Sequence, residues 1–138
     1  MILLLHSLCS IIMTVIIILV QRVIYPQFHH AKNLRTYAQE HVKRISPIVM
    51  PVMLLEFFTL VILWFNTATY SNFLIFLITL LLLAIWTVTF FLMLPLHNRI
   101  TQGEDCISDL IVRNYYRTGL WLVKTGLLVY MLYVSTIV

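Results

Sequence analysis

The sequence predicts an all-α protein, a four-helix transmembrane bundle built as one integral membrane domain over residues 1–138. Of its 138 residues, 62% are hydrophobic and only 10% are charged, whereas a soluble domain has nearer ~45–50% and ~25%. The mean hydropathy is +0.98. A soluble domain of this size cannot hide so much apolar surface in its interior, so lipid is the expected solvent. These observations argue against a cytosolic enzyme, a secreted disulfide scaffold and a nucleic-acid-binding domain.

Four apolar runs approach or reach the ~20 residues that a helix needs to cross ~30 Å of hydrocarbon. The runs cover roughly residues 2–24, 47–65, 73–96 and 115–138. All four are expected to be helical, because lipid offers backbone groups no hydrogen-bond partners. The first run has no basic residues before it and no evident small-residue cleavage site. It is therefore expected to be a retained span and not a signal peptide.

Positive charge is concentrated in the first and third connections between these runs. Residues 25–46 are expected to form a long polar loop between helices 1 and 2, residues 66–72 an uncharged tight turn, and residues 97–114 a second polar loop. The basic residues of the two polar loops are Lys32, Arg35, Lys43, Arg44, Arg99 and Arg113. Because basic loops stay in the cytoplasm, we expect a bacterial inner-membrane protein with both loops cytoplasmic and both termini outside.

Local signals predict where the first two helices end and begin. Pro26 is expected to end the first helix. Ser46 followed by Pro47 reads as the cap and first residue of the second helix. A short helix within the long loop has two competing caps, Thr36 in a capping box and Asn33 about one turn earlier.

Two charged residues lie inside predicted spans, where charge is costly and needs a reason. Glu56 lies about eight residues into the second span and Lys124 about nine into the fourth, so both are roughly 12–14 Å deep at ~1.5 Å per residue. Opposite charges at equal depth can form a structural ion pair across the bundle. The alternative is that Glu56 is a proton-handling carboxylate in a cavity.

Polar groups from all four predicted helices converge on the cytoplasmic half, which marks a candidate site. Asn114 and Arg117, three residues apart, share a face of the fourth helix, and Lys124 lies on roughly the same face. For the arginines alone, the alternative is that they reach the lipid headgroups. The candidate catalytic residues are Glu56, His97 and Arg117, and the candidate substrate-binding residues are Gln21, Asn98, Asn114 and Lys124.

Histidines raise two cofactor hypotheses, a metal ion or haem. His41 and His97 with Glu56 would form a two-His-one-carboxylate set suited to iron(II) oxygen chemistry. No HExxH motif supports this set, and Glu56 lies deeper than the two histidines. His6, near the outer end of the first span, is a candidate haem ligand, and the alternative is a histidine at the outer interface.

The positions of the aromatic residues predict structural roles for them. Tyr25 and Phe28, near a predicted span end, are expected in the interfacial aromatic belt. Trp86 and Trp121 lie inside spans and are expected to be packing residues. The two cysteines, Cys9 and Cys106, are expected to lie too far apart to pair.

Two short stretches resemble motifs of the anthrone-oxygenase-like family of small four-helix membrane proteins. They are Leu94-Pro95-Leu96-His97-Asn98-Arg99-Ile100, which resembles the end of helix three, and Asn114-Tyr115-Tyr116-Arg117-Thr118, which resembles the start of helix four. The stretch from Tyr37 to Glu56 is similar to an uncharacterised bacterial branch. The resemblance implies four transmembrane helices and, in a few fungal members, oxygenation of an anthrone to an anthraquinone. Many family members have Asn where this chain has His97.

Two functions of different classes follow from the sequence. The first is an oxidoreductase or oxygenase that acts on an apolar substrate entering from lipid, with its polar site in the cytoplasmic half of the bundle. The second is a non-enzymatic assembly or partner subunit, in which the polar cluster is structural. Under both hypotheses the protein is embedded in the lipid bilayer and binds no nucleic acid. The sequence leaves oligomerisation open. A small multidrug exporter is disfavoured, because such exporters carry their key carboxylate in helix one and not in helix two.

Overall fold

The computed structural model describes residues 1–66 and 71–137, with the backbone alone at residue 137. Within these ranges every regular element is helical. Four continuous helices are present, α1 (Ile2–Phe28), α2 (Leu34–Phe65), α3 (Asn72–Thr101) and α4 (Ile107–Ile137). Each is long and apolar enough to cross a membrane, so the predicted all-α class and the number of spans are confirmed.

Consecutive helices run antiparallel. At one end of α2 the Gln39 side chain donates a hydrogen bond to the carbonyl of Thr101, at the end of α3 (3.4 Å). At the other end Trp64 donates to the Thr79 hydroxyl, near the start of α3 (3.0 Å). Helix α1 packs against both α2 and α4, and α4 also packs against α3. The start of α1 and the end of α4 therefore lie at the same end of the bundle.

The opposite end, here called the basic end, holds the connections at residues 29–33 and 102–106. Its exposed cations are Arg22, Lys32, Arg35, Lys43, Arg44, Arg99 and Arg113. In the second connection Gly103 has φ of +100°, a backbone conformation that glycine adopts without steric cost. Arg99 and Glu104 form an exposed ion pair across the same turn (2.6 Å).

Apolar side chains fill the interior along its whole length, and others cover the outside. In the middle of the bundle Met13, Met53 and Ile85 pack around Trp121, which is 1% exposed. This confirms Trp121 as a packing residue. The outward faces carry large exposed side chains such as Phe91, the surface expected of a bundle that lipid solvates.

The predicted long polar loop at residues 25–46 is wrong, since only residues 29–33 separate α1 from α2. Pro26 does not end α1, which continues through Phe28. A π-helical segment, Val20–Ile24, ends two residues before this proline. Proline blocks the bond to the carbonyl four residues earlier, here Arg22, and the wider π-helical turn accommodates that break. The same arrangement recurs in α3, where a π-helical segment, Val88–Met93, precedes Pro95.

Ser46 and Pro47 do not begin α2, so that prediction is also wrong. The helix begins at Leu34, and its cap is Asn33, whose Oδ1 accepts a hydrogen bond from the Thr36 N–H (3.1 Å). Pro47 and Pro51 lie inside the helix and are exposed. With 32 residues, α2 is about 48 Å long and exceeds the hydrocarbon thickness by about 18 Å.

Helices α3 and α4 are also longer at the basic end than the predicted spans 73–96 and 115–138. The second polar loop at residues 97–114 is therefore reduced to residues 102–106. Most of the predicted turn at residues 66–72 lies outside the described residues, as does the last residue of the fourth span. Of that turn, Asn66 follows the end of α2 and Ser71 precedes α3.

Candidate functional site

A buried ion pair joins two helices in the interior of the bundle. Glu56 of α2 and Lys124 of α4 are paired, and both side chains are fully buried. The Lys124 ammonium also donates to the Ser10 hydroxyl of α1 (3.1 Å) and lies 5.0 Å from the centre of the Trp121 ring. Three helices therefore meet at this charge pair. The sequence left two alternatives for Glu56, an ion pair with Lys124 and a proton-handling carboxylate in a cavity. The structure contains the ion pair.

Hydroxyls and a histidine of α1 extend this network. His6, Ser10 and Thr14 recur every four residues and so lie on one face of the helix. The His6 Nδ1 lies 2.8 Å from the Thr59 hydroxyl and 3.1 Å from the Glu56 backbone carbonyl. The hydroxyls of Ser10 and Thr14 lie 2.9 Å and 2.7 Å from that of Thr125. We call these residues, together with Glu56 and Lys124, the interior network.

The interpretation of His6 as a residue at the outer interface is wrong, because its side chain is fully buried. The other histidines lie at the basic end, so none in the described chain shares its level as a second haem ligand. Two buried atoms of the interior network, His6 Nε2 and Glu56 Oε2, have no hydrogen-bond partner among the described residues.

A second group of polar side chains lies at the basic end, where three helices bring Tyr25, His41 and His97 together. The Tyr25 hydroxyl lies 2.9 Å from His97 Nε2. The rings of His41 and His97 are stacked, with centroids 5.9 Å apart. Tyr25 and Phe28 are each only 1% exposed, so their predicted place in the interfacial aromatic belt is wrong. They pack inward against these histidines.

Arg117 is held by a chain of hydrogen bonds from α4 to α1. Its Nε donates to Asn114 Oδ1 (2.9 Å), and Asn114 Nδ2 donates to Gln21 Oε1 (2.6 Å). Gln21 Nε2 in turn donates to the Ile111 carbonyl (3.3 Å). Arg117 is only 9% exposed, so it does not reach out to headgroups, whereas Arg113 is exposed.

A cavity of about 430 Å³ lies among α1, α2 and α3 at the basic end, and Arg117 of α4 contributes to its wall. Its polar lining includes Tyr25, His97, Asn98 and Arg117, and most of the remaining wall is apolar. His97 Nδ1 is buried without a partner among the described residues. Met50 and Leu94 also line the cavity and are 44% and 47% exposed. The cavity, which we call the basic-end cavity, therefore reaches the outer surface between α2 and α3.

A larger cavity of about 640 Å³ lies beside it, around the start of α2. Several polar side chains of this second cavity already have partners within the protein. Asn33 caps α2, the Tyr37 hydroxyl donates to Gln27 (3.0 Å), and Arg44 pairs with Glu40 (3.3 Å). The basic-end cavity is the better candidate for a site, because its lining includes a buried polar atom without a partner in the described chain, His97 Nδ1.

The predicted metal set of His41, His97 and Glu56 is not formed. Glu56 lies about 22 Å from His41 along α2 at ~1.5 Å per residue, and its carboxylate is taken by Lys124. Among the described residues no group of three or more His, Cys, Asp or Glu side chains could hold a metal ion. His41 and His97 do come together, but as a stacked pair without the carboxylate.

The remaining predicted site residues divide between the two polar groups. His97, Asn98 and Arg117 line the basic-end cavity. Gln21 and Asn114 lie behind Arg117 and orient it without lining the cavity. Glu56 and Lys124 belong to the interior network, so the predicted site is in fact two separate clusters.

Sequence reasoning did not assign the side chains that complete these clusters. The residues it missed are Tyr25, Ser10, Thr14, Thr59 and Thr125. Spacing of four residues between His6, Ser10 and Thr14 was a readable signal for the interior network. Tyr25 had no such signal, because an aromatic residue near a span end is usual at both buried and interfacial positions.

Fold and site together define a four-helix protein of membrane-spanning length, with an interior ion-pair network and a partly polar cavity at its basic end. No family model matches this chain, and neither a curated protein nor a solved structure matches it.

Proposed function

We propose that this chain is a multi-pass protein of the bacterial inner membrane that binds an apolar small molecule in the basic-end cavity and oxidises it. The observation that carries the proposal is the cavity itself, with mostly apolar walls and the polar groups of Tyr25, His97 and Arg117. An apolar pocket with a few convergent polar groups is the usual form of a small-molecule site. Its opening between α2 and α3 suits a substrate that arrives from lipid.

His97 is the residue best placed to move a proton. Its Nε2 is held by the Tyr25 hydroxyl at 2.9 Å, and its Nδ1 is without a partner in the described chain. A neutral imidazole has one donor and one acceptor nitrogen. In the tautomer whose Nε2–H donates to the Tyr25 hydroxyl, Nδ1 is the acceptor and can take a proton from a bound molecule. The resemblance to the anthrone-oxygenase-like family supports dioxygen as the oxidant and an anthrone as the first substrate to test.

The test is anthrone oxidation by the purified protein in lipid nanodiscs under air. We expect anthraquinone to form faster than in protein-free nanodiscs, as measured by chromatography with mass detection. His97→Ala should lower the protein-dependent rate by about 10²-fold or more, the usual contribution of a general base. His30→Ala, at an exposed histidine of the connection, is the matched control and should retain the rate. No acceleration over empty nanodiscs would reject anthrone oxidation.

Absorption spectra and elemental analysis of the same preparation test the cofactor hypotheses. A Soret band would support haem, and stoichiometric iron, copper or zinc without that band would support a metal site. Either result would change which residues carry the chemistry, because the described histidines and carboxylates do not form a three-ligand set.

A non-enzymatic assembly or partner subunit is the alternative function, and the interior network favours it. Glu56 and Lys124 are fully buried and pair with one another, which is the arrangement of a structural element that sets helix positions. Under this alternative the wild-type protein would not accelerate oxidation. It would instead purify in mild detergent with a stoichiometric partner protein, detected by mass spectrometry.

A further inference from the structure

Among the described residues, Arg117 is a buried cation without an acidic partner. It is 9% exposed, and a guanidinium stays protonated in proteins. The chain has five Asp and Glu residues. Three of them are paired with other cations, as Glu40–Arg44, Glu104–Arg99 and Glu56–Lys124. The other two, Asp105 and Asp109, are exposed, and neither forms an ion pair in the described part of the chain.

Only some of the hydrogen-bond donors of Arg117 are engaged within the protein. A guanidinium carries five N–H donors. In the described structure its Nε donates to Asn114 Oδ1 at 2.9 Å, and the guanidinium also shares a hydrogen bond with the Tyr25 hydroxyl, so at most two of the five donors are engaged. Gln21 holds Asn114 in turn at 2.6 Å. Neither Gln21 nor Asn114 lines the basic-end cavity, whereas Arg117 does. The guanidinium is thus oriented by two neutral amides, and its unused donors are left for a partner in the cavity.

The charged side chains that line the basic-end cavity are all positive. Its lining contains two cationic side chains, Lys43 and Arg117, and no Asp or Glu. Most of the rest is apolar, with Ile17, Val49 and Met50 among the lining residues. A buried cation left unpaired is strongly unfavourable. A hydrocarbon ligand without an oxygen acceptor would cover Arg117 and leave its charge unpaired, so such a ligand fits poorly.

We infer that the ligand of this cavity is an amphiphile with an apolar body and one anionic oxygen head group, such as a carboxylate, that pairs with Arg117. This inference rests on the proposed function, because it names the ligand class of the same site. A carboxylate accepts two parallel N–H bonds from a guanidinium. The apolar body then occupies the wall toward Met50 and Leu94 and the lipid.

Two photoreactive probes distinguish this ligand class. One is a 12-carbon fatty acid with a diazirine in its chain, and the other is the matching primary alcohol. Each is added to wild-type protein in nanodiscs, irradiated and mapped by mass spectrometry. Labelling at Met50 and Leu94 is normalised to labelling at Leu83, an exposed residue outside the cavity. We expect the acid to label the cavity roughly tenfold more than the alcohol, the effect of one charge-assisted hydrogen bond.

Variants then assign the preference to Arg117. Arg117→Gln should bring labelling by the acid down to that of the alcohol, and Arg117→Lys should keep most of the preference. Arg113→Gln, at an exposed arginine of the same helix, is the matched control and should leave the ratio unchanged. If Arg117→Gln does not give a monodisperse protein, the acid-to-alcohol labelling ratio of the wild type and of Arg117→Lys still decides whether the cavity prefers an anionic head group.

The outcomes separate the two proposals. If neither probe labels the cavity above Leu83, the proposed small-molecule site fails. If both probes label it equally in the wild type, the site stands and the anionic head group is overturned. Preference for the acid that survives unchanged in Arg117→Gln would also overturn the role of Arg117.

Discussion

The Glu56–Lys124 pair shows how the energetics of a single contact depend on its surroundings. Desolvating two charges is expensive, and their mutual attraction offsets that cost only while both are present. Removing one partner leaves an uncompensated charge in a fully buried position. Replacing both by neutral side chains removes the desolvation cost as well as the attraction. Removing one partner is therefore expected to lower the stability by more than the intact pair contributes to it.

A double-mutant cycle tests this account of the pair. Glu56→Gln alone should lower the free energy of unfolding by about 3–5 kcal/mol, since it leaves Lys124 buried and unpaired. Adding Lys124→Met should recover part of that loss, so the two effects should not add. Reversible unfolding in mixed micelles provides the measurement. Purely additive effects would show that the two residues are not energetically coupled.

The exposed pair Glu40–Arg44 is the matched control for this cycle. Its side chains are 50% and 81% exposed, and water screens such pairs. Glu40→Gln should therefore change the free energy of unfolding by no more than about 1 kcal/mol. A loss as large as that from Glu56→Gln would mean that burial is not what makes the interior pair sensitive.

Cys106 should react slowly with alkylating reagents. Burial raises the pKa of its thiol, and only the thiolate is nucleophilic. Its alkylation by iodoacetamide should therefore be slow at pH 7 and should increase as the pH rises above the ordinary thiol value of about 8.5. A cysteine introduced at the exposed Gln102 provides the comparison, measured by mass spectrometry. Equal rates for both thiols at pH 7 would contradict the expectation.

Residue-level predictions succeeded where depth alone decided the contact. Glu56 and Lys124 lie at matching depths in antiparallel helices, and that can be read from the positions of the apolar runs. His6 and Tyr25 could not be placed in this way, because burial near a helix end depends on which neighbouring helix covers that face. The predicted metal site that combined Glu56 with His97 is not formed, because the two residues lie at different depths.

At the level of elements, hydropathy identified all four helices but not their ends at the basic side. Residues 34–46 are polar enough to read as a loop, yet they form the first part of α2. Hydropathy reports the solvent around a segment and not its backbone conformation, so a helix that leaves the hydrocarbon gives no signal that it continues. Pro47 added to the error, since proline is both a common first residue of a helix and a tolerated interior residue of membrane helices.

The two candidate caps of α2 can be separated by experiment. Asn33→Ala removes the side chain that accepts the Thr36 N–H, at a cost of about 1 kcal/mol. Amide exchange in the first turn after Leu34 should become several times faster, as measured by hydrogen–deuterium exchange. Thr36→Ala is the matched control and should leave exchange nearly unchanged, because it keeps the bonded N–H. If Thr36→Ala had the larger effect, Thr36 would be the true cap.

At the scale of the whole molecule, sidedness follows from the concentration of basic side chains at one end. That end holds the cations of both connections, residues 29–33 and 102–106, and of the adjoining helix ends. The positive-inside rule therefore predicts that this end lies in the cytoplasm.

Cysteine labelling tests this orientation. In intact spheroplasts, Ser71→Cys, at the exposed start of α3, should react with a membrane-impermeant maleimide. Lys32→Cys should react only after permeabilisation. The wild-type chain is the blank, because Cys9 and Cys106 are both buried. Labelling of Lys32→Cys alone in intact cells would reverse the orientation.

The side opening of the basic-end cavity, between Met50 and Leu94, changes how affinity must be expressed. Under the proposed function, a molecule that enters there comes from the surrounding leaflet and not from bulk water. Occupancy then follows the mole fraction of that molecule in the lipid. Doubling the lipid at constant total ligand should therefore lower occupancy, as dilution does for a soluble receptor. A dissociation constant in aqueous molar units would vary with the lipid content of the sample, whereas one in mole fraction would not.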